Sequence, residues 1–117
     1  TLPAAKAGLN YRVILGVDTT AGAKISAASG DCFFGLIRLL SDTADVVGVP
    51  QQITHAVAVA APGDYDTFDF VAATASLGGM AGDSIELVAV DAVAWHVNAV
   101  LTTSANNPTT AANIVAS

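Results

Sequence analysis

The sequence predicts an all-β fold, a compact antiparallel sandwich or barrel of about seven or eight strands. Three observations predict it. Apolar residues alternate with polar or small ones, run after run, at period two. The runs are punctuated at intervals of about ten residues by turn signals, and Gly-Asp recurs at Gly30-Asp31, Gly63-Asp64 and Gly82-Asp83. No span carries apolar residues at spacings of three and four between helix caps, so almost no helix is expected.

Residues 1–8 hold Pro3 among small residues and read as an extended arm. Residues 9–17 read as the first strand, with Leu9, Tyr11, Val13, Leu15 and Val17 on one face and Asn10, Arg12, Ile14 and Gly16 on the other. A turn at 18–22 leads to a short second strand, in which Ala23, Ile25 and Ala27 alternate with Lys24, Ser26 and Ala28. Residues 32–40, CFFGLIRLL, are apolar on both faces except at Arg38. That suits a central strand, or one covered by a neighbouring subunit. Gly35 and the paired Phe33 and Phe34 argue against a helix there.

Residues 41–52 contain Gly48 and Pro50 and read as a loop, with room for a short edge strand at Val46-Val47. Residues 54–60 alternate again, placing His55, Val57 and Val59 on one face. After a turn at 61–64, residues 66–71 send Phe68 and Phe70 inward and Thr67, Asp69 and Val71 outward. Residues 72–82, rich in Ala, Ser and Gly, lead into the most strongly patterned stretch, 78–101. There Ile85, Leu87 and Ala89, then Val93, Trp95, Val97, Ala99 and Leu101, alternate with their neighbours across a break at Asp91-Ala92. Two such runs predict an antiparallel hairpin. The only Trp lies inside it, which puts the hairpin at the centre of the core. Residues 102–117 carry Pro108, lack periodicity and read as a tail. The whole is one β domain: arm 1–8, core 9–101, tail 102–117. The candidate core is Tyr11, Val13, Leu15, Phe68, Phe70, Ile85, Leu87, Trp95 and Val97.

At 117 residues the chain supports one modest core. Hydrophobic residues make up 53% of it and charged residues 12%, where about 25% charged is usual. Much of the apolar excess is Ala, so the surface is either bland or turned toward other protein. The shortage of ionic groups favours subunit contact. Ten acids against four bases give a net charge of −6. Lys6, Arg12, Lys24 and Arg38 are scattered, which argues against nucleic acid, and an anionic membrane repels the chain. No apolar run approaches the length of about 18 residues that a membrane helix needs. Neither is there an N-terminal charged-then-apolar signal. A first residue of Thr fits removal of an initiator Met or a tag.

Little in the sequence points to chemistry. Cys32 is single and sits in an apolar run, so it reads as a small buried hydrophobe with no internal disulfide. His55 and His96 are the only histidines, and no Cys-x-x-Cys or His-x-x-x-His spacing surrounds them. Asp64, Asp66 and Asp69 cluster, but their spacing departs from a calcium loop and they read as a solvated turn. No Gly-x-Ser-x-Gly elbow occurs. Neither an enzyme, a metal nor a cofactor is expected.

Several motifs, in order, resemble a recurrent module of tailed-phage virion proteins: Leu2-Pro3-Ala4, Ala7-Gly8-Leu9-x-Tyr11, Gly78-Gly79, Gly82-Asp83 and Trp95-x-Val97. That module belongs to head decoration, cement or head-fibre-like proteins. Each motif is weak alone; their order over most of the chain carries the resemblance. Two stretches depart from the pattern. Relatives often carry Asn-Gly where this chain has Asp69-Phe70-Val71, and the tail after Ser104 differs.

The resemblance implies a β-rich structural protein, made in the host cytoplasm and bound to the outer capsid surface of the virion. It would act as a homotrimer whose partners are itself and the major capsid protein. The candidate capsid or subunit contacts are Leu2, Pro3, Leu9, Phe34, Leu36, Thr102, Pro108 and Ile114. The alternative is a carbohydrate-binding β-sandwich of a fibre or lectin, with Tyr65 between Asp64 and Asp66 as its best sugar-facing aromatic.

Overall fold

In the computed structural model of the chain, the described residues are 1–17, 22–41, 51–53, 65–70, 78–103 and 114–115. They form eight strands and no helix. The strands are β1 (Asn10–Ile14), β2 (Ala23–Ser26), β3 (Cys32–Ser41), β4 (Gln51–Ile53), β5 (Thr67–Phe70), β6 (Ser84–Ala89), β7 (Ala94–Thr103) and β8 (Ile114–Val115). One sheet has the order β1-β6-β7-β3-β4 and the other β2-β5-β8. The fold is all-β, with one apolar core shared by both sheets.

The predicted hairpin is β6 and β7, antiparallel from Ser84↔Val100 to Ala89↔Trp95. Asp91 closes its break: one carboxylate oxygen accepts from the N–H of Val93 and of Ala94, both at 2.8 Å. Such local bonding is why Asp favours turns. The inward residues of the hairpin, Ile85, Leu87, Ala89, Trp95, Val97, Ala99 and Leu101, are all at most 1% exposed. Phe33 and Phe68 meet across the two sheets with ring centroids 5.5 Å apart. Fully burying a side chain of this size stabilises by roughly 1.5–3 kcal/mol.

One pairing departs from the antiparallel expectation. β3 runs parallel to β7 over its whole length, from Cys32↔Ala94 to Ser41↔Thr103. Alternation fixes which face a side chain takes but says nothing of a neighbour's direction. Gly35 lies within that pair at φ +137°, and a Cβ built there would sit 2.1 Å from the carbonyl oxygen of Val97. Only glycine allows the two central backbones to come so close.

Several boundaries and exposures differ from the sequence reading. β1 ends at Ile14, and the 41–52 loop gives up Ser41 to β3 and Gln51–Gln52 to β4. The strands proposed at 46–47 and 54–60 lie outside the described residues. Thr67 is 5% exposed rather than outward, and its hydroxyl donates to Ser26 Oγ at 3.1 Å. Tyr11 is 38% exposed, and Val13 and Leu15 are half-buried. The reason is position: β1 is the edge of its sheet, so its inner face has a neighbour on one side only.

The arm is laid against the core. Leu2 N–H donates to Ser26 O at 2.7 Å, and Gly8 N–H to Ala89 O at 3.0 Å. Within the tail, Ile114–Val115 pair with Thr67 and Phe68.

Candidate functional site

One continuous surface of the described residues is the outer face of the five-stranded sheet. Register assembles it in rows. Asn10, Val88, His96 and Phe34 form one row, and Arg12, Glu86, Asn98, Leu36 and Gln52 form the next. Ile14, Ser84, Val100 and Arg38 form a third, with Thr102 and Leu40 beyond. Phe34, Leu36, Leu40, Val88 and Val100 are half-buried and Ile14 is 58% exposed. The His96 and Phe34 rings meet in a T-shaped arrangement with centroids 5.3 Å apart. Arg12 Nε lies 3.9 Å from Glu86 Oε1, with both side chains more than half exposed, so this pair adds little.

The candidate contact residues fall in separate places. Phe34, Leu36 and Thr102 share this outer face. Leu2 is half-buried and Pro3 exposed, where the arm runs beside β2. Leu9 is half-buried at the start of the β1–β6 pair, its carbonyl accepting from Ala89 N–H at 2.9 Å. Ile114 belongs to β8 of the other sheet. Pro108 lies outside the described residues, as do His55 and Asp64. Of the acidic cluster, Asp69 is held by Lys24 at 2.7 Å and Asp66 is half-buried beside Tyr65, which is 37% exposed. Among the described residues, no group of three or more His, Cys, Asp or Glu is placed to hold a metal ion.

Two buried carboxylates escaped the sequence reading, which placed the Gly-Asp pairs at hairpin corners. Asp31 is 7% exposed, and its Oδ2 accepts from Ala5 N–H at 2.7 Å and Trp95 Nε1 at 3.4 Å. It pins the arm to the central tryptophan. Asp83 is 1% exposed. Its Oδ2 accepts from Gly79 N–H at 2.8 Å and Met80 N–H at 3.1 Å, and its Oδ1 from Thr102 N–H at 2.7 Å. It ties the glycine-rich turn to β7. Burial pushes its carboxyl above the usual carboxylate range, and the bonds from Gly79, Thr102 and Met80 oppose that shift without overcoming it. The recurrence of Gly-Asp was the available signal. It marked the turns but not the distant partners, because those depend on how the sheet brings the strands together.

No family model, curated protein or solved structure matches the chain. Among the described residues, the outer sheet face mixes half-buried apolar with polar side chains, and two buried carboxylates tie the arm and the glycine-rich turn to β7.

Proposed function

We propose that this chain is a structural virion protein, a capsid decoration or cement protein. It binds the outside of a phage head as a trimer and stabilises the shell. The observation that carries this reading is the outer face of the five-stranded sheet. Its apolar side chains, Ile14, Phe34, Leu36, Leu40, Val88 and Val100, outnumber its ionic ones, Arg12, Arg38 and Glu86. A chain with only 12% charged residues fits contact with other protein better than a solvated exterior. The resemblance of its ordered motifs to head decoration proteins supports the same conclusion. Burial at roughly 25 cal/mol per Å² lets many copies reinforce a shell without covalent links.

The test is cosedimentation of the purified chain with tailed-phage heads stripped of their decoration, together with its mass in solution. The expected result is a solution mass that is a multiple of three copies, and a chain that saturates the heads in threes and raises the temperature at which they rupture, with Leu36→Lys reducing both effects. A chain that ignores heads, or one that captures defined sugars on a glycan array through Tyr65, overturns the proposal.

A further inference from the structure

β1 is built like a core strand but placed at an edge. Its inward row extends to Leu9-x-Tyr11-x-Val13-x-Leu15-x-Val17. Tyr11 stacks obliquely on buried Trp95 at 5.8 Å, which fixes this row as the inner face. Yet Tyr11 is 38% and Val17 74% exposed, and Leu9, Val13 and Leu15 are half-buried. Of the five exposed large hydrophobics among the described residues, three (Tyr11, Ile14 and Val17) lie on or just after this strand.

Among the described residues, the backbone of the edge is open as well. Leu9 O and Leu15 N bond to β6 and its approach, at Ala89 and Asp83. In an antiparallel ladder the alternate residues Asn10, Arg12 and Ile14 therefore turn their N–H and C=O away from β6. Sheet edges are commonly blunted by Pro, Lys, a bulge or a very short strand. NYRVI has neither Pro nor Lys, and its one charge, Arg12, lies beside Glu86 of the neighbouring strand.

We infer that β1 pairs antiparallel with β1 of a second copy, across a two-fold axis at Val13. An open edge specifies an extended strand as its occupant, and the sequence specifies which one. Reversed about Val13, the inward row maps onto itself, with Tyr11 against Leu15 and Leu9 against Val17. The outer row maps Arg12 onto Ile14 and Asn10 onto Gly16, so no like charges face each other. A register one step along, centred on Arg12, sets two guanidinium groups opposite one another and is disfavoured. In the Val13 register the outward backbones of Arg12 and Ile14 exchange about four hydrogen bonds in total. The same pairing covers the exposed apolar row. The interface is isologous, so the particle in solution contains an even number of copies: a dimer by this contact alone, or two trimers joined by it where a three-fold contact is also made. This inference stands apart from the virion reading, since the isolated chain must display it with no shell present.

The experiment is sedimentation of the full chain over a wide concentration range, with disulfide trapping. The wild type is expected to associate into an even number of copies. Ile14→Lys, which sets Lys against Arg12 in two symmetry-related pairs, weakens that association about tenfold. Ile14→Glu, which offers Arg12 a carboxylate, does not weaken it. Val13→Cys, facing itself at a Cα separation of about 4.5 Å, forms an intermolecular disulfide when oxidised glutathione is supplied. Asn10→Cys does not, and buried Cys32 gives no background. Far-UV circular dichroism confirms that each variant is folded; if Val13→Cys unfolds, the Lys and Glu variants decide alone. A wild type that stays monomeric at every concentration overturns the inference. So does equal weakening by Ile14→Lys and Ile14→Glu, or an associated, folded Val13→Cys that fails to cross-link.

Discussion

β1 and β7 carry the same sequence signal in the same sheet and meet different fates. Along β7, Trp95, Val97, Ala99 and Leu101 are sealed at 1% exposure or less. Along β1, the equivalent inward residues stay partly open, with Tyr11 at 38%. Among the described residues, β7 lies between β6 and β3, whereas β1 has β6 alone. Period two therefore states which face a residue takes, and only the strand's place in the sheet states how completely that face is covered. An edge strand written like a central one marks a surface that its own chain leaves unfinished.

The largest effect should come from the centre. Gly35→Ala forces a methyl group to within 2.1 Å of the Val97 carbonyl oxygen, at a φ that L-residues rarely adopt. The β3–β7 pair has to separate locally, and we expect a loss of about 4 kcal/mol or more, read as failure to give a cooperative thermal transition. Next, truncations on the paired strands β6 and β1 compare central with edge surroundings directly. Leu87→Ala empties a site with no exposure and should cost roughly 2–5 kcal/mol. Val13→Ala, two ladder positions along on half-buried β1, should cost about 1 kcal/mol when measured on the monomer by chemical denaturation. Equal losses would mean that β1 is as well enclosed as the hairpin.

The sequence made some of this contrast legible and hid the rest. The hairpin, with Asp91 at its break and Trp95 within it, was readable because all its determinants are local. Phe68 and Phe70 were placed inward by alternation alone. The parallel partnership of β3 with β7 was not readable, because residues 32 and 94 lie far apart in the chain and no side-chain pattern encodes strand direction. Gly35 entered the sequence reading as an argument against helix. Its need for close backbone approach emerges only when Val97 is beside it. Asp31 and Asp83 looked like ordinary corner residues, since their partners Ala5, Trp95 and Thr102 are distant in sequence. Phe34 and Leu36 were legible as apolar strand positions, whereas Thr102, read from the sequence as the start of the tail, proves to lie on β7, which runs to Thr103, and the rows required the register.

Asp83 sharpens the comparison from the other side, because it supports β7 where β1 has no counterpart. Asp83→Asn leaves one acceptor oxygen for three backbone N–H groups and turns an amide donor toward them. We expect a loss of roughly 2–3 kcal/mol. The pH dependence has a definite sign. The folded carboxyl titrates above its unperturbed value of 3.8, so between the two values the native state holds more of the proton. Its contribution is therefore fully present below pH 3.8 and is lost as pH rises through the folded value. Thermal melts of wild type and Asp83→Asn across that window should show the wild-type advantage shrinking as pH increases. An advantage that grows with pH would mean that the three N–H bonds outweigh desolvation.

The smallest effects belong to the two cross-strand ion pairs among the described residues, each of which ties an edge strand to its neighbour. Arg12 and Glu86 are register partners on β1 and β6, 3.9 Å apart, with side chains 61% and 51% exposed. Lys24 and Asp69 are partners on β2 and β5, 2.7 Å apart, and the Asp69 side chain is only 19% exposed. Water and salt screen the first pair on both sides, while the second keeps one charge sheltered. Double-mutant cycles should give a coupling of about 0.2 kcal/mol or less for Arg12–Glu86 and up to about 1 kcal/mol for Lys24–Asp69. Molar salt should remove most of the larger one. If Arg12–Glu86 proves the stronger pair at concentrations where the chain associates, and loses that strength on dilution, its surroundings must be drier in the assembly than in the monomer. That is the behaviour expected of a β1 edge covered by a second copy.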